Sequence, residues 1–570
     1  MLQLWRQGGW QRIWWGKVTE NREEEVHFRG AGSAESVFEL LRLRVTQFGD
    51  HPLFMLPKSV RLLWGSDRSI WTYGETLDCV MTIAERLRAS GIGKGHRVVL
   101  ALDNRPCHFQ YLLALNAVGA SAVPINSDST ECELAYLLDH SESCLLVALP
   151  GCSGRFTLIA GQSNVPVVEA DATSIPKVLH PVKARSGTSV DECAVIYTSG
   201  STGPPKGCVL SNGYFLGFSD WYARQGGLIS LSMGLERLMT PLPGFHVNAT
   251  CHSFMGMLGV GGAQVIIDRF HPGDWWRIAI ETEATCFHYL GVIPAILLEL
   301  PENEADRGHR MRFGHGGGVH PDHHARFEER FDVPLLEGWT MTETGSATLH
   351  CSNETPRHVG TRCIGRTPES IEVRLIDENG NNVPPGIPGA LLVRGNGEDP
   401  RRGFCLGYLK DPAATAELWA GGWLHTGDVM RQDTEGYLYF VDRRKNIIRR
   451  SGENIAAIEV ELLIADHSGV SKVAVVPIED RLRDEEVFAA IVPAADVAPG
   501  PNLAQEIFDH CAAKLVYFKL PGYIRFLDTL PVTPTQKVRK TDLKLYTVEP
   551  LASSDCHDFR DAKQALRSKA

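Results

Sequence analysis

The chain lacks any run of about 18 or more apolar residues, the minimum for a membrane-spanning helix. Its opening stretch has no continuous apolar segment of the signal-peptide kind, so a cytoplasmic location is expected. Its fourteen cysteines form no C-x-x-C pair and no zinc-like spacing. That favours reduced, mostly buried thiols over a disulfide frame or a metal finger. Positive charge is in deficit: 57 Lys and Arg against 68 Asp and Glu give a formal net charge of −11. A general nucleic-acid binder needs a basic face and is excluded, although a local basic site for one nucleotide is not. What remains is an ordinary globular composition, 43% hydrophobic and 22% charged, over 570 residues. That length is too great for one core and implies three or four domain-sized units.

One stretch organises the rest. Ala194-Val195-Ile196-Tyr197 reads as a short buried strand. It runs into Thr198, Ser199, Gly200, Ser201, Thr202, Gly203, Pro204, Pro205, Lys206 and Gly207. Four hydroxyls, three glycines and one lysine in ten residues suit a phosphate cradle. Glycine lets the backbone curl N–H groups toward an anion, hydroxyls add donors, and the lysine adds charge on a flexible stem. The spacing is not that of a P-loop, because no G-x-x-x-x-G-K-S/T can be read there. A polar hairpin or linker is the plainer alternative.

Along the chain, residues 1–35 form an extension rich in Trp and Arg that is expected to be disordered, or to follow from a start codon placed too early. From Ser36 the pattern becomes regular. Helices are expected over Val37 to Phe48, Gly74 to Ser90 (ended by Gly91) and Phe109 to Val118 (ended by Gly119), with strands between them. Such alternation means an α/β fold with a parallel sheet covered on both faces. Ser370 to Arg394 alternates with turns and suggests a small β subdomain. The unit from Lys445 to Tyr546 reads as a small α+β domain, and 547–570 as a frayed polar tail. Between His309 and His324 lie five histidines, His309, His315, His320, His323 and His324. They fit no closed zinc pattern, and His323 and His324, beside the helix start at Pro321-Asp322, are expected to face solvent.

Tyr197 to Gly207 resembles the signature loop of the adenylate-forming enzymes, namely acyl-CoA synthetases, luciferases and peptide-synthetase adenylation domains. Further strings resemble the same family in the same order: Gly316-Gly317-Gly318, Gly338 to Gly345, Trp423 to Asp428, Gly436 to Lys445, and Leu530 to Lys540. One such match is weak; several in order are strong. The bacterial acyl-CoA ligases grouped with the crotonobetaine/carnitine-CoA ligases look most similar.

The resemblance implies a large N-terminal domain of layered sheets and helices with a small β subdomain, over 36–444. A small mobile α+β domain would follow over 445–546. It also implies residue roles. Thr198, Ser199, Gly200, Ser201, Thr202, Gly203 and Lys206 would grip the phosphates of ATP. Gly316, Gly317 and Gly318 would let adenine and the acyl chain lie close. Trp339, in place of a usual tyrosine, would stack on adenine, and Thr340, in place of a glycine, would shorten the acyl tunnel. Thr342 would lie near the α-phosphate, and Glu343 would hold Mg²⁺. Asp428 would accept the ribose hydroxyls and Arg443 would reach ribose or phosphate. Lys445 would be the hinge, Gly452 would lie in a loop that swings in for thioester formation, and Lys537 would be the catalytic lysine. His246 would sit beside the acyl pocket.

The implied reaction is attack of a carboxylate on the α-phosphate of ATP, releasing pyrophosphate and forming acyl-AMP, followed by transfer to coenzyme A with AMP as product. His246, Asn248, Trp339 and Thr340 suggest a narrow, partly polar pocket and a short or polar acid. A homodimer is compatible with this reading; no nucleic acid and no membrane span enter it. Transfer to a carrier protein or an amine, and a non-catalytic nucleotide-binding relative, stand as alternatives.

Overall fold

The computed structural model describes residues 30–198, 204–319, 321–377, 379–443, 447–451, 453–531, 538, 540–543, 546–547 and 555–567. The N-terminal part is built on two parallel-rich sheets. One has seven strands in the spatial order 407–408, 206–211, 192–198, 121–124, 97–101, 145–148, 167–169. The other has eight, in the order 350–351, 335–339, 313–317, 286–290, 237–240, 263–266, 52–55, 70–72. The interior pairs of the second sheet are parallel, and antiparallel strands close its two ends.

Helices fill the space around the sheets, and local signals set their limits. Val37–Phe48 starts where the Ser36 hydroxyl accepts from the Glu39 amide at 3.2 Å. Tyr73–Ser90 begins with a capping box between Thr72 and Glu75 and ends at Gly91 in the left-handed region. Pro106–Val118 is buried on almost every face, as befits a helix apolar all round. Phe54, Phe109 and Phe254 stack with centroids 4.7 to 6.1 Å apart and tie this helix to the eight-stranded sheet.

A five-stranded antiparallel sheet, 363–366, 437–443, 424–432, 389–395 and 371–376, contains the β subdomain read over Ser370 to Arg394. The C-terminal unit has its own sheet and its own apolar core, which includes Ile448, Val475, Ile491, Ile507 and Ile524. The helix expected over Asn502 to Leu515 is Pro501–Ala512.

Two expectations need correction. Part of the stretch read as a frayed tail is structured: Cys556–Asp558 pairs with Tyr523–Phe526, and Arg560–Arg567 is a helix. Lys563 on that helix is fully buried and lies 2.5 Å from both Glu486 Oε1 and the Leu520 carbonyl, while Arg450 donates to Glu486 Oε2 at 2.7 Å. Burial pushes the Lys563 ammonium down to about 7. His324 does not face solvent either. It is 4% exposed, lies 2.9 Å from the Leu335 carbonyl through Nε2, and accepts from the Gly360 amide through Nδ1. Its helix packs that side against the strand Leu335–Trp339.

Candidate active site

The signature stretch is a hairpin loop. Glu192–Thr198 and Lys206–Ser211 pair antiparallel, with Tyr197 opposite Gly207 and Thr198 opposite Lys206. The two strands flanking the loop therefore form the hairpin that is the plainer reading of this stretch. Ser199, Gly200, Ser201, Thr202 and Gly203 lie outside the described residues. The base of the hairpin is braced by Tyr136, whose hydroxyl donates to the Pro205 carbonyl at 2.8 Å.

The Thr-Glu string is brought to this hairpin. Tyr408 pairs with the hairpin strand opposite Cys208, and its hydroxyl donates to Glu343 Oε1 at 2.8 Å. Lys206 Nζ lies 4.9 Å from the centre of the Tyr408 ring. Burial, together with the Glu343 carboxylate, pushes the Tyr408 phenol well up, so it stays a donor. Thr342 lines the same cleft, and its carbonyl accepts from Tyr214 at 2.8 Å.

Trp339 and Asp428 meet. The indole N–H donates to Asp428 Oδ2 at 2.9 Å, and the two residues are 5% and 1% exposed. Arg443 stands opposite Asp428 in the antiparallel register. Thr340 lines the cleft while its hydroxyl donates to the Gly345 carbonyl at 2.5 Å, so its polarity is spent on its own loop.

Gly316 has a steric reason for being glycine: a Cβ there would fall 2.1 Å from the Tyr289 carbonyl oxygen on the neighbouring strand. Gly317 and Gly318 line the cleft beside it. Behind them Glu337 accepts from Tyr289 and from the amides of Gly318 and Val319, at 3.1 to 3.2 Å. Burial raises its carboxyl above the usual range, against the pull of those donors.

The C-terminal domain closes the cleft. Glu453 Oε2 lies 3.0 Å from His246 Nε2. Lys519 donates to Glu133 of the N-terminal part at 2.9 Å and to Glu459 of its own domain at 2.8 Å. Lys445, Gly452 and Lys537 lie outside the described residues. The whole cleft measures about 2240 Å³ and reaches from the hairpin to the inter-domain contact.

Residues 42–408 match the AMP-binding enzyme family, and residues 459–537 match the AMP-binding enzyme C-terminal domain. The chain belongs to the AMP-binding enzyme family. It is an ATP-dependent, adenylate-forming ligase of the acyl-CoA synthetase type. A crotonobetaine/carnitine–CoA ligase of Shigella flexneri is 31% identical over 481 residues, which cover 80% of this chain and 89% of the relative. A malonyl-CoA ligase in a ternary product complex with methylmalonyl-CoA and AMP superposes with a TM-score of 0.69 at 26% identity, covering 85% of this chain and 97% of that one. The amide bond synthetase McbA of Marinactinospora thermotolerans shares the fold, with a TM-score of 0.75 at 24% identity, covering 89% and 99%.

Sequence reasoning missed several partners. Tyr408 sits 65 positions from Glu343 and carries no string of its own that marks it as a donor. The Trp339–Asp428 bond spans 89 positions; a Trp in place of the usual aromatic was its one signal. Of the five histidines His320 lies outside the described residues; among the others, His309 stacks on Trp276 at 4.4 Å, whereas His315 packs on Trp221 at 5.6 Å. Among the described residues no group of three or more His, Cys, Asp or Glu is arranged to hold a metal ion.

Proposed function

We propose that this enzyme joins a small carboxylic acid to AMP and then hands the acyl group to coenzyme A. The observation that carries the residue assignment is convergence. Lys206, Glu343, Tyr408 and Trp339 line one cleft, Trp339 is bonded to Asp428 just behind its wall, and the C-terminal strand Glu453–Ala456 brings Glu453 to the same cleft.

In this reading Asp428 accepts the ribose hydroxyls, and the Trp339 N–H holds one of its oxygens in place while the indole face meets adenine. Lys206 and the hairpin loop neutralise the β- and γ-phosphates and then the departing pyrophosphate. Lys537 contacts the acid carboxylate and the α-phosphate as negative charge gathers there. Thr342 donates beside the same phosphate. Arg443 reaches ribose or phosphate, and Lys445 is the hinge about which the C-terminal domain turns. The Gly452 loop, next to Glu453, then serves thioester formation.

Glu343 is the residue that would hold Mg²⁺. One carboxylate fits this role, because Mg²⁺ in nucleotide sites takes one or two protein carboxylates and completes its shell with phosphate oxygens and water. Tyr408 occupies Oε1 of Glu343 and so fixes the carboxylate's orientation. Held there, the ion would supply positive charge to offset that of the phosphates.

Coenzyme A as acceptor is supported by the thioester-forming relatives. A cytoplasmic setting is supported by the thiols, all of which are free. No helix among the described residues is long and apolar enough to cross a membrane.

The test is pyrophosphate release, dependent on ATP and CoA, over acids from acetate and propionate to aromatic, betaine-like and long-chain. Pyrophosphate and acyl-CoA from one small acid is the expected result. Pyrophosphate without acyl-CoA would move the acceptor to an amine or a carrier protein. Silence with ATP still bound would overturn the reading.

A further inference from the structure

Three imidazoles meet at the inner wall of the cleft. His288 and His315 are register partners on the adjacent parallel strands Cys286–Leu290 and Phe313–Gly317, so they share a face. His252 comes from the segment Asn248–Ser253, a single π-helical turn that widens the chain just before the helix Phe254–Val260. Such turns are rare and gather at functional sites. The ring centres are 4.5 Å (His252–His288), 5.1 Å (His252–His315) and 5.6 Å (His288–His315) apart. All three residues are at most 2% exposed. Their burial holds all three rings far below the ordinary imidazole value, His315 at about 4, so the cluster is neutral at pH 7.

The hydrogen bonds of the three differ. His288 is saturated: Tyr222 lies 2.5 Å from Nε2, and Ser253 and Asn248 lie 2.7 and 2.9 Å from Nδ1. His315 places Nδ1 3.1 Å from the Leu336 carbonyl, an acceptor, so Nδ1 carries the proton and Nε2 presents a lone pair. His252 is the exception, because its Nε2 is buried with no hydrogen-bond partner among the described residues. His252 and His315 both line the cleft, together with Asn248, Gly338 and Thr340. The nearby carboxylate of Glu337 is already engaged by Tyr289, Gly318 and Val319. A buried polar atom without a partner costs stability unless a ligand completes it.

We propose that His252 and His315 form the polar end of the acyl-binding cleft and select an acid whose chain carries an uncharged hydroxyl. The hydroxyl donates its one proton to the His315 Nε2 lone pair and accepts from His252 in the tautomer that carries its proton on Nε2. An all-alkyl chain leaves His252 unpartnered. A cationic chain meets neutral rings and a Glu337 carboxyl already engaged by three donors. The inference rests on the ligase reading above and narrows its substrate.

The experiment is ATP–pyrophosphate exchange with wild-type enzyme on acids of matched length. At each length it compares the alkyl acid, hydroxy acids with the hydroxyl at successive carbons, and the trimethylammonium acid. One hydroxyl position should raise kcat/KM over the alkyl acid by about tenfold or more, since a site built for a hydroxyl rejects its absence. His252→Phe should collapse that ratio toward one, and His252→Gln should restore part of it. A purely structural role for His252 would lower activity on all acids together and leave the ratio standing, which overturns the proposal. So would an alkyl or trimethylammonium preference in the wild type, and either of those results leaves the ligase reading intact. No exchange with any acid would overturn both.

Discussion

On the proposed assignment, replacing Trp339 by Phe keeps an aromatic face for adenine but removes one hydrogen-bond donor. In the present structure that donor is 2.9 Å from Asp428 Oδ2, and the carboxylate is 1% exposed, so water does not readily take its place. A hydrogen bond to a charged group contributes about 1.5–3 kcal/mol, which is roughly 10- to 150-fold in an equilibrium constant. If Asp428 holds the ribose throughout the reaction, the lost energy is uniform binding, so KM for ATP rises by that factor while kcat changes little. The assay is ATP–pyrophosphate exchange at saturating acid, with KM for the acid as the control. Asp428→Asn and the double variant complete a cycle. Residues in contact should couple by about 0.5–3 kcal/mol, so the double variant should be little worse than Asp428→Asn alone. Thermal unfolding separates this from a packing defect. A folded Trp339→Phe enzyme with KM for ATP within about twofold of wild type would refute the idea that the indole N–H positions the carboxylate.

The remaining expectations concern stability and the division of steps. His108, His315 and His350 are held by burial at about 4, and His252 and His288 lie well below the ordinary value. Their folded values are depressed, so the unfolded chain binds protons that the folded one refuses. Stability is complete above about pH 6.5 and falls as pH drops from there toward 4, by about 2 kcal/mol per histidine near pH 5. Glu337, raised by burial, acts in the opposite sense, but as one group against five. A urea midpoint that does not move between about pH 7 and pH 5 would contradict the account. Lys563→Met should lower the unfolding midpoint of the C-terminal domain, a loss of about 1–3 kcal/mol, because Glu486 and the Leu520 carbonyl lose a buried donor while Arg450 still pairs with Glu486. An unchanged midpoint would show that the terminal helix is not anchored there. Lys537→Ala should lose adenylation while still making thioester from supplied acyl-AMP; equal loss of both would refute the separation of roles.

Much of this architecture is legible in the sequence because its signals are local. Caps such as Ser36, Gly91 and Gly119 mark helix ends within one turn, and the structure uses them where they stand. The strings that suggest a nucleotide site are likewise contiguous in the chain. Legibility fails where chemistry is assembled across elements. His288 and His315 face each other because two strands pair in one register, and His252 joins them through a π-turn. No periodicity in a window of one element carries that information. His315 belongs to a run whose histidines tempt a metal reading, yet its true neighbours come from elsewhere in the chain. The terminal helix fails for a related reason. Its pattern is polar, so Lys563 reads as solvated, and only the distant Glu486 makes its burial tolerable.

The inter-domain contact bears on whether this C-terminal domain can turn between two steps. Lys519 bridges Glu133 and Glu459 from a buried position. Burial alone would depress its ammonium, but the two carboxylates outweigh that and raise it. Separation of the domains removes Glu133 and leaves Glu459, which travels with Lys519, so the ammonium keeps a counter-ion. Glu133 also keeps a partner, because its Oε2 accepts from the Thr130 amide at 2.9 Å within its own capping box. Thr130 loses its bond to the Lys514 carbonyl but retains its acceptor role to the Glu133 amide. The side chains of His246 and Glu453 are 37% and 17% exposed even in contact, so water can take up each of them once the contact opens. Each of these charged groups therefore keeps a partner or meets water once the contact opens. The usual penalty for breaking a buried pair, a stranded charge, does not arise. An interface built this way opens at low cost, as the proposed two-step cycle with a turning C-terminal domain would require.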